Sequence, residues 1–312
     1  MAEAPSRPYP PPLPRRFLAP CYWGVWLALG LHAVLGVLPA LLRRGVGAWV
    51  GGQNYRRNAK RRRIGLLNLA WCFPHWDETR RETVLRESFR SLGAALADFG
   101  LFWWAGRQRF LSRIAIEGEQ HLAAVREAGE RAILVTVHSH GMDFGGMALS
   151  SRWPMVTYAN RMRNPLVEWV MAHRRTRFGC LLYTREEGMR PVVREVKAGR
   201  VFFYPVDEDG HGGEAVFAPF FGVPKATLTA PFRLARLCQA RLIPCTTYFR
   251  VSDQRYVVHL LPPLDGVPSG DHEVDAHRLN AAFEELIMLA PEQYMWGQRL
   301  FQTRPGGAPR PY

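Results

Sequence analysis

Two rhythms of apolar and polar positions run along this chain, and they change over near residue 131. Over 64–112 apolar residues such as Val84, Leu85, Phe89, Leu92, Leu96 and Phe99 recur at helical spacing, which predicts helix. Beyond that point come compact apolar runs: RAILVTV (131–137), PMVTY (154–158), RVFFYPV (200–206), RLIPCTTYFR (241–250) and RYVVHLL (255–261). Runs of this length and composition predict buried strands. Helical patterns at 164–178, 189–198, 226–239 and 273–289 fall between most of them. The first of these opens on Asn164-Pro165, a capping residue followed by proline at the first helical position. Strands alternating with helices predict an α/β fold, a mainly parallel central sheet flanked by helices. The sequence shows no internal repeat and no Gly-rich phosphate loop.

One stretch stands apart from both rhythms. From Cys21 to Leu42 there is no formally charged residue. As one helix this segment spans about 33 Å, against about 30 Å of bilayer hydrocarbon. Tyr22, Trp23 and Trp26 sit at one end, where aromatic rings favour the interface. A cleaved signal peptide has a shorter apolar region, and Arg43 and Arg44 follow at once, so the segment predicts an uncleaved membrane-anchoring helix. A buried core helix and an interfacial helix are the alternatives, and His32 and Pro39 weigh on their side. Arg7, Arg15 and Arg16 precede the span; Arg43, Arg44, Arg56, Arg57, Lys60, Arg61 and Arg62 follow it. That asymmetry places the chain after residue 42 in the cytoplasm, with the span in the inner membrane. The cluster RRNAKRRR (56–63) then reads as a clamp on anionic headgroups, each charge contributing about 1 kcal/mol; a solvated basic helix and a nucleic-acid patch are its other readings. The implied organisation is a disordered Pro-rich leader (1–20), the anchor (21–42), a cytoplasmic domain (43–305) and a tail (306–312).

Composition narrows the classes further. With 312 residues, 47% hydrophobic and 22% charged, the chain is long enough for a sizeable core and is ordinary for a globular protein. A formal charge of +14 suits an anionic partner: nucleic acid, anionic lipid or an acidic carrier protein. Cys21, Cys72, Cys180, Cys238 and Cys245 are dispersed and form no Cys-x-x-Cys pair. This excludes a disulfide framework and a structural zinc site, and fits reduced thiols in a cytoplasmic body.

The segment VTVHSHGMDFGG (135–146) carries the candidate chemistry. His138 and Asp143 are five positions apart, which on one continuous helix would set them about 140° apart. They meet more easily if His138 ends the strand and Asp143 begins the next helix, with Gly141, Gly145 and Gly146 allowing a sharp, accessible turn. A carboxylate on one imidazole nitrogen fixes the tautomer and strengthens the other nitrogen as a base. That base is suited to deprotonating a hydroxyl that attacks an ester or thioester carbonyl. His140 is the rival histidine, without a carboxylate at the same spacing. The aromatic run Phe99–Trp104 reads equally as core or as a surface touching lipid or an acyl chain.

An H-x4-D pair behind a strand and an N-terminal anchor resembles the glycerolipid and lipid A acyltransferase superfamily. HRRTRFG (173–179), YPVDEDGHGGEAVFAPFFGVPKAT (204–227), LARLCQARLIP (234–244) and APEQYMWGQRLFQTRP (290–305) resemble the lauroyl and myristoyl lipid A late acyltransferases. The likeness runs from roughly 20 to 305. It implies transfer of a fatty acyl group from acyl carrier protein to a hydroxyl of a lipid A precursor. The sequence itself shows neither metal-ligand spacing nor a phosphate cradle, which predicts no metal or nucleotide cofactor. On this resemblance His138 is the general base and Asp143 its partner. Arg174, Arg175 and Arg177 lie near the family's functional arginine, and Arg175, with Arg177 next, is the one expected to serve lipid phosphate or a developing oxyanion; surface charge on an amphipathic helix is the plainer reading. Asp207 and Asp209 order the arginines or bond sugar hydroxyls, a turn-forming role being the plainer reading. HRRTRFG favours the myristoyl-type branch, whereas YANRMRNP (158–165) lacks the Tyr-Arg-Pro of many lauroyl-type members. Acylation of a lysophospholipid or another glycolipid is the alternative within the superfamily. A tethered nucleic-acid or lipid-binding protein is the alternative outside it, and it leaves the His–Asp loop unexplained.

Overall fold

A computed structural model describes residues 10–210 and 214–312; residues 1–9 of the leader lie outside it. The N-terminal part is helical: α1 (Trp23–Val37), α2 (Ala40–Arg57), α3 (Ala59–Cys72), α4 (Glu78–Trp104) and the short α5 (Arg107–Leu111). Strands and helices then alternate as β1 (Ile114–Glu117), α6 (Glu119–Glu127), β2 (Arg131–Thr136), α7 (Met142–Ser150), β3 (Met155–Ala159), α8 (Pro165–Arg175), β4 (Leu181–Thr184), α9 (Arg190–Lys197) and β5 (Val201–Pro205). After a hairpin of β6 (Ala215–Phe220) and β7 (Val223–Leu228) come α10 (Ala230–Cys238), β8 (Ala240–Arg250), β9 (Arg255–Leu260) and α11 (His272–Met288).

Seven strands form one sheet in the order β1-β9-β8-β2-β5-β3-β4. Every neighbouring pair is parallel except β8 and β9, so the mainly parallel α/β architecture read from the sequence is the one observed. Strand β2 shows why an unbroken apolar run belongs at the centre of such a sheet. Ile133 and Val135 face a layer containing Val192 of α9, Phe232 of α10 and Leu279 of α11. Ala132 and Leu134 face the opposite layer, with Leu122 of α6, Phe144 of α7 and Leu166 of α8.

The apolar N-terminal stretch is not one helix. Helix α1 ends at Val37, Leu38 and Pro39 are extended, and α2 starts at Ala40. Proline has no N–H to continue the ladder and its ring excludes the preceding turn, so Pro39 is where a helix over 21–42 must break. Pro20–Val37 remains long and apolar enough to cross a membrane, with only 11% of it buried. Both helices pack on α4 through glycines: Cβ atoms at Gly36, Gly47 and Gly51 would collide with the backbone of α4 at Gly100, Gly93 and Phe89. The described end of the leader forms local structure. Arg15–Leu18 and Pro20–Tyr22 are short 3-10 turns, and Phe17 is buried between Tyr22 and Trp169.

Arg43 and Arg44, counted as cytoplasmic flanking charges, turn inward. Both pair with Asp98 of α4, Arg43 through Nε at 2.7 Å. The Tyr256 hydroxyl donates to the same carboxylate at 2.8 Å, and the Arg44 guanidinium lies 3.3 Å from the Phe249 ring centre. Of the charges after the apolar segment, Arg56, Arg57, Lys60 and Arg61 stay exposed.

Candidate active site

The chemistry-bearing side chains gather at the carboxyl ends of the central parallel strands, the usual location for a site in an open α/β sheet. Strands β2 and β5 are neighbours, with Thr136 opposite Pro205. His138 and Asp207 each lie two residues further on, so the register brings them together. The Asp207 carboxylate binds the His138 side chain at Nδ1, and its second oxygen accepts the His138 backbone N–H at 2.9 Å. A carboxylate accepts only, so the neutral imidazole keeps its proton on Nδ1 and presents the Nε2 lone pair outward. Glu208 sits there, 3.6 Å from Nε2 and half exposed.

This partner differs from the one expected. Asp143, in the first turn of α7, turns away to α8 and takes a two-pronged bond from Arg175, Nε to Oδ1 at 2.7 Å and Nη2 to Oδ2 at 3.1 Å. The fork geometry of guanidinium and carboxylate makes this a well-matched pair. The turn between strand and helix is set by contact rather than by backbone freedom. A Cβ on Gly145 would collide with the Thr247 hydroxyl, and one on Gly141 would come 2.8 Å from the Thr247 carbonyl oxygen. These glycines let α7 approach β8, and the close approach directs Asp143 along α8.

The setting of His138 favours its charged form. Burial opposes the imidazolium, but the Asp207 charge and hydrogen bond, with help from Glu208 and Asp143, outweigh it and raise His138 to about 9. Asp207 moves the other way: burial would raise it, and the bonded His138 holds it below the usual carboxylate value. His140 has no such partner. Burial pushes it down to about 3 and its Nδ1 lies 3.2 Å from Ser91 Oγ, so it stays neutral beneath the loop.

A cavity of about 410 Å³ opens beside these groups. His138, Asp143, Arg175 and Glu208 form one polar wall, while Met142, Met147, Met155, Met171 and Phe203 supply an apolar one. A mostly apolar pocket with a few convergent polar groups suits a ligand that is part chain and part polar head.

The other expected site residues lie elsewhere. Arg177 donates to the carbonyls of Phe102 at 2.6 Å and Ala105 at 2.7 Å, closing the C-terminus of α4. Asp209 accepts from the Thr303 backbone N–H at 2.9 Å and hydroxyl at 2.7 Å, tethering the chain's C-terminal end. Phe99, Phe102 and Trp103 of the aromatic run are core.

The 290–305 segment, quoted above for its resemblance but given no role, braces the His138 loop. Met295 N–H donates to the His138 carbonyl at 3.2 Å and His140 N–H to the Gln293 carbonyl at 3.0 Å. Ser88 of α4 holds the Tyr294 carbonyl at 3.0 Å, and the Tyr294 ring is buried against Asp207. Lys225 is buried too, donating to the Glu208 carbonyl at 3.1 Å beneath the Asp207–Asp209 turn. The signal for Asp207 was available in the equal spacing of His138 and Asp207 from their strand ends; nothing local marks Gln293 or Lys225.

Residues 11–303 match the family model described as bacterial lipid A biosynthesis acyltransferase. A lipid A biosynthesis acyltransferase of Haemophilus influenzae is 31% identical over 93% of this chain and 91% of its own length. The lipid A biosynthesis myristoyltransferase of Escherichia coli is 31% identical over 97% and 94%, and its lauroyltransferase 30% over 95% and 96%. The chain therefore belongs to the bacterial lipid A biosynthesis acyltransferases, and it is an acyltransferase.

Proposed function

We propose that this enzyme moves a fatty acyl chain from the thioester of acyl carrier protein to a hydroxyl of a lipid A precursor, at the cytoplasmic face of the inner membrane. The pairing of the buried Asp207 with His138, which lines a mostly apolar cavity, carries the reading. Nε2 of His138 takes the hydroxyl proton as the oxygen attacks the thioester carbonyl carbon. The resulting oxyanion is stabilised by nearby positive charge, which Arg175, fixed in place by Asp143, supplies at the cavity wall. As the carbon–sulfur bond breaks, the imidazolium returns the proton to the leaving thiolate. Asp207 holds the ring and offsets its transient charge without taking the proton itself.

The apolar wall accommodates the acyl chain. The uncharged α1 anchors the enzyme where its acceptor resides, and the exposed Arg56, Arg57, Lys60 and Arg61 face anionic headgroups. Mass spectrometry of lipid A from cells lacking late acylation, with and without this enzyme, tests the proposal. The expected spectrum gains the mass of one fatty acyl group, and tandem fragmentation places it. An unchanged profile refutes lipid A as acceptor and puts the lysophospholipid or glycolipid alternative forward.

A further inference from the structure

Arg174 lies one residue before Arg175 but points out of the cavity. Its guanidinium carbon sits 4.4 Å from the centre of the Trp104 ring, and its Nε is buried with no hydrogen-bond partner among the described residues. Trp104 ends α4 and is 40% exposed. Its neighbour Trp103 stacks edge-on against His32 of α1 at 5.2 Å, and α1 carries the exposed Leu27, Leu31 and Val34. Arg174 thus rests on the last residue of α4, next in sequence to the tryptophan that meets α1, while its own neighbour Arg175 lines the cavity.

The charge balance here is unusual. Arg177 is close enough that the Arg174 charge, together with burial, lowers its affinity for its proton. Arg177 answers to backbone carbonyls, and among the described residues no carboxylate pairs with either guanidinium. Between Asp98 and Glu117 the chain has no acidic residue, while Arg107, Arg109 and Arg113 add to the positive side. Two neighbouring guanidiniums, one with a desolvated, unsatisfied N–H, cost free energy unless an anion joins them. An aromatic ring beneath one of them leaves its edge open for such an anion.

We infer that Arg174, seated on Trp104 and backed by Arg177, binds the phosphate of a membrane lipid that reaches the site from the α1 side. The inference rests on the proposed reading that the acceptor is a lipid. The phosphate belongs either to the acceptor or to a neighbouring phospholipid, and both present the same ester-bound anion to the arginine fork.

The test uses the full chain in neutral-detergent mixed micelles and compares wild type with Arg174→Gln and Arg174→Lys. If the phosphate is the acceptor's, Arg174→Gln raises KM for phosphorylated lipid A precursor about tenfold with kcat little changed. Arg174→Lys recovers part of that loss, and the phosphatase-treated acceptor shows no difference between the enzymes. If the phosphate is a phospholipid's, KM stays the same, and native mass spectrometry shows phosphatidic acid retained by wild type and lost from Arg174→Gln. Equal KM together with equal retention of phosphatidic acid overturns the inference. The lipid-retention arm does not depend on turnover, so a wild-type enzyme that fails to acylate lipid A precursor counts against the proposed function alone.

Discussion

His138 and Asp207 show how a residue's role follows from what its strand neighbours bring to it. The imidazole is raised to about 9 chiefly because the Asp207 carboxylate outweighs the burial that opposes its charge. Only the deprotonated ring accepts a proton, so kcat/KM for the free enzyme rises with pH and levels off only above about 9. Glu208→Gln removes one of the charges holding that proton, which moves the acid limb of the profile to lower pH. A pH–rate series on both enzymes checks the direction of the shift. Asp143 and Arg175 act on each other, so Asp143→Ala and Arg175→Ala each lower kcat by on the order of a hundredfold, and the double variant is little worse than either. Additive losses in that double-mutant cycle contradict the pairing.

At the scale of elements, helix α4 is the platform on which the N-terminal helices and the His138 loop are both built. On one side it receives α1 and α2 through glycine contacts and the buried Arg43–Asp98–Arg44 cluster. On another, Ser88 grips the C-terminal strap that holds His138. Asp98→Ala leaves two inward-facing arginines without their carboxylate, which costs about 3 kcal/mol or more. Thermal unfolding in detergent reads this as a clear fall in Tm, and an unchanged Tm contradicts a structural role for the cluster.

The elements were unevenly legible in the sequence. Apolar runs of β-branched and aromatic residues announced β2, β3, β5, β8 and β9, because strands buried on both faces leave no polar positions to confuse the pattern. Strands β1 and β4, with four residues each, are too short to carry a period. Residues 226–228 read as helix but extend β7, because the hairpin partner β6 supplies their hydrogen bonds. The break at Pro39 was visible as a proline in an apolar run; the glycine contacts that seat the two helices on α4 were not, because they depend on a partner far along the chain. Asp143 matched the spacing rule while Asp207 took the bond, because strand register acts over a separation that local spacing does not record.

Across the whole molecule, the +14 charge is spread by task rather than held in one patch. Two arginines are spent inside against Asp98, one faces Asp143 at the cavity, and the group at the end of α2 and start of α3 lies at the surface. The uncharged α1, the surface arginines and the cavity belong to one account, in which a lipid hydroxyl is delivered from the bilayer to a base oriented by a carboxylate. The acyl-transfer rate of purified Asp207→Asn, measured with acyl carrier protein as donor and lipid A precursor as acceptor, tests that account most directly. The account predicts a loss on the order of a thousandfold in kcat with the fold intact, as expected when the imidazole loses the group that sets its tautomer. A folded Asp207→Asn enzyme working at close to the native rate would contradict it.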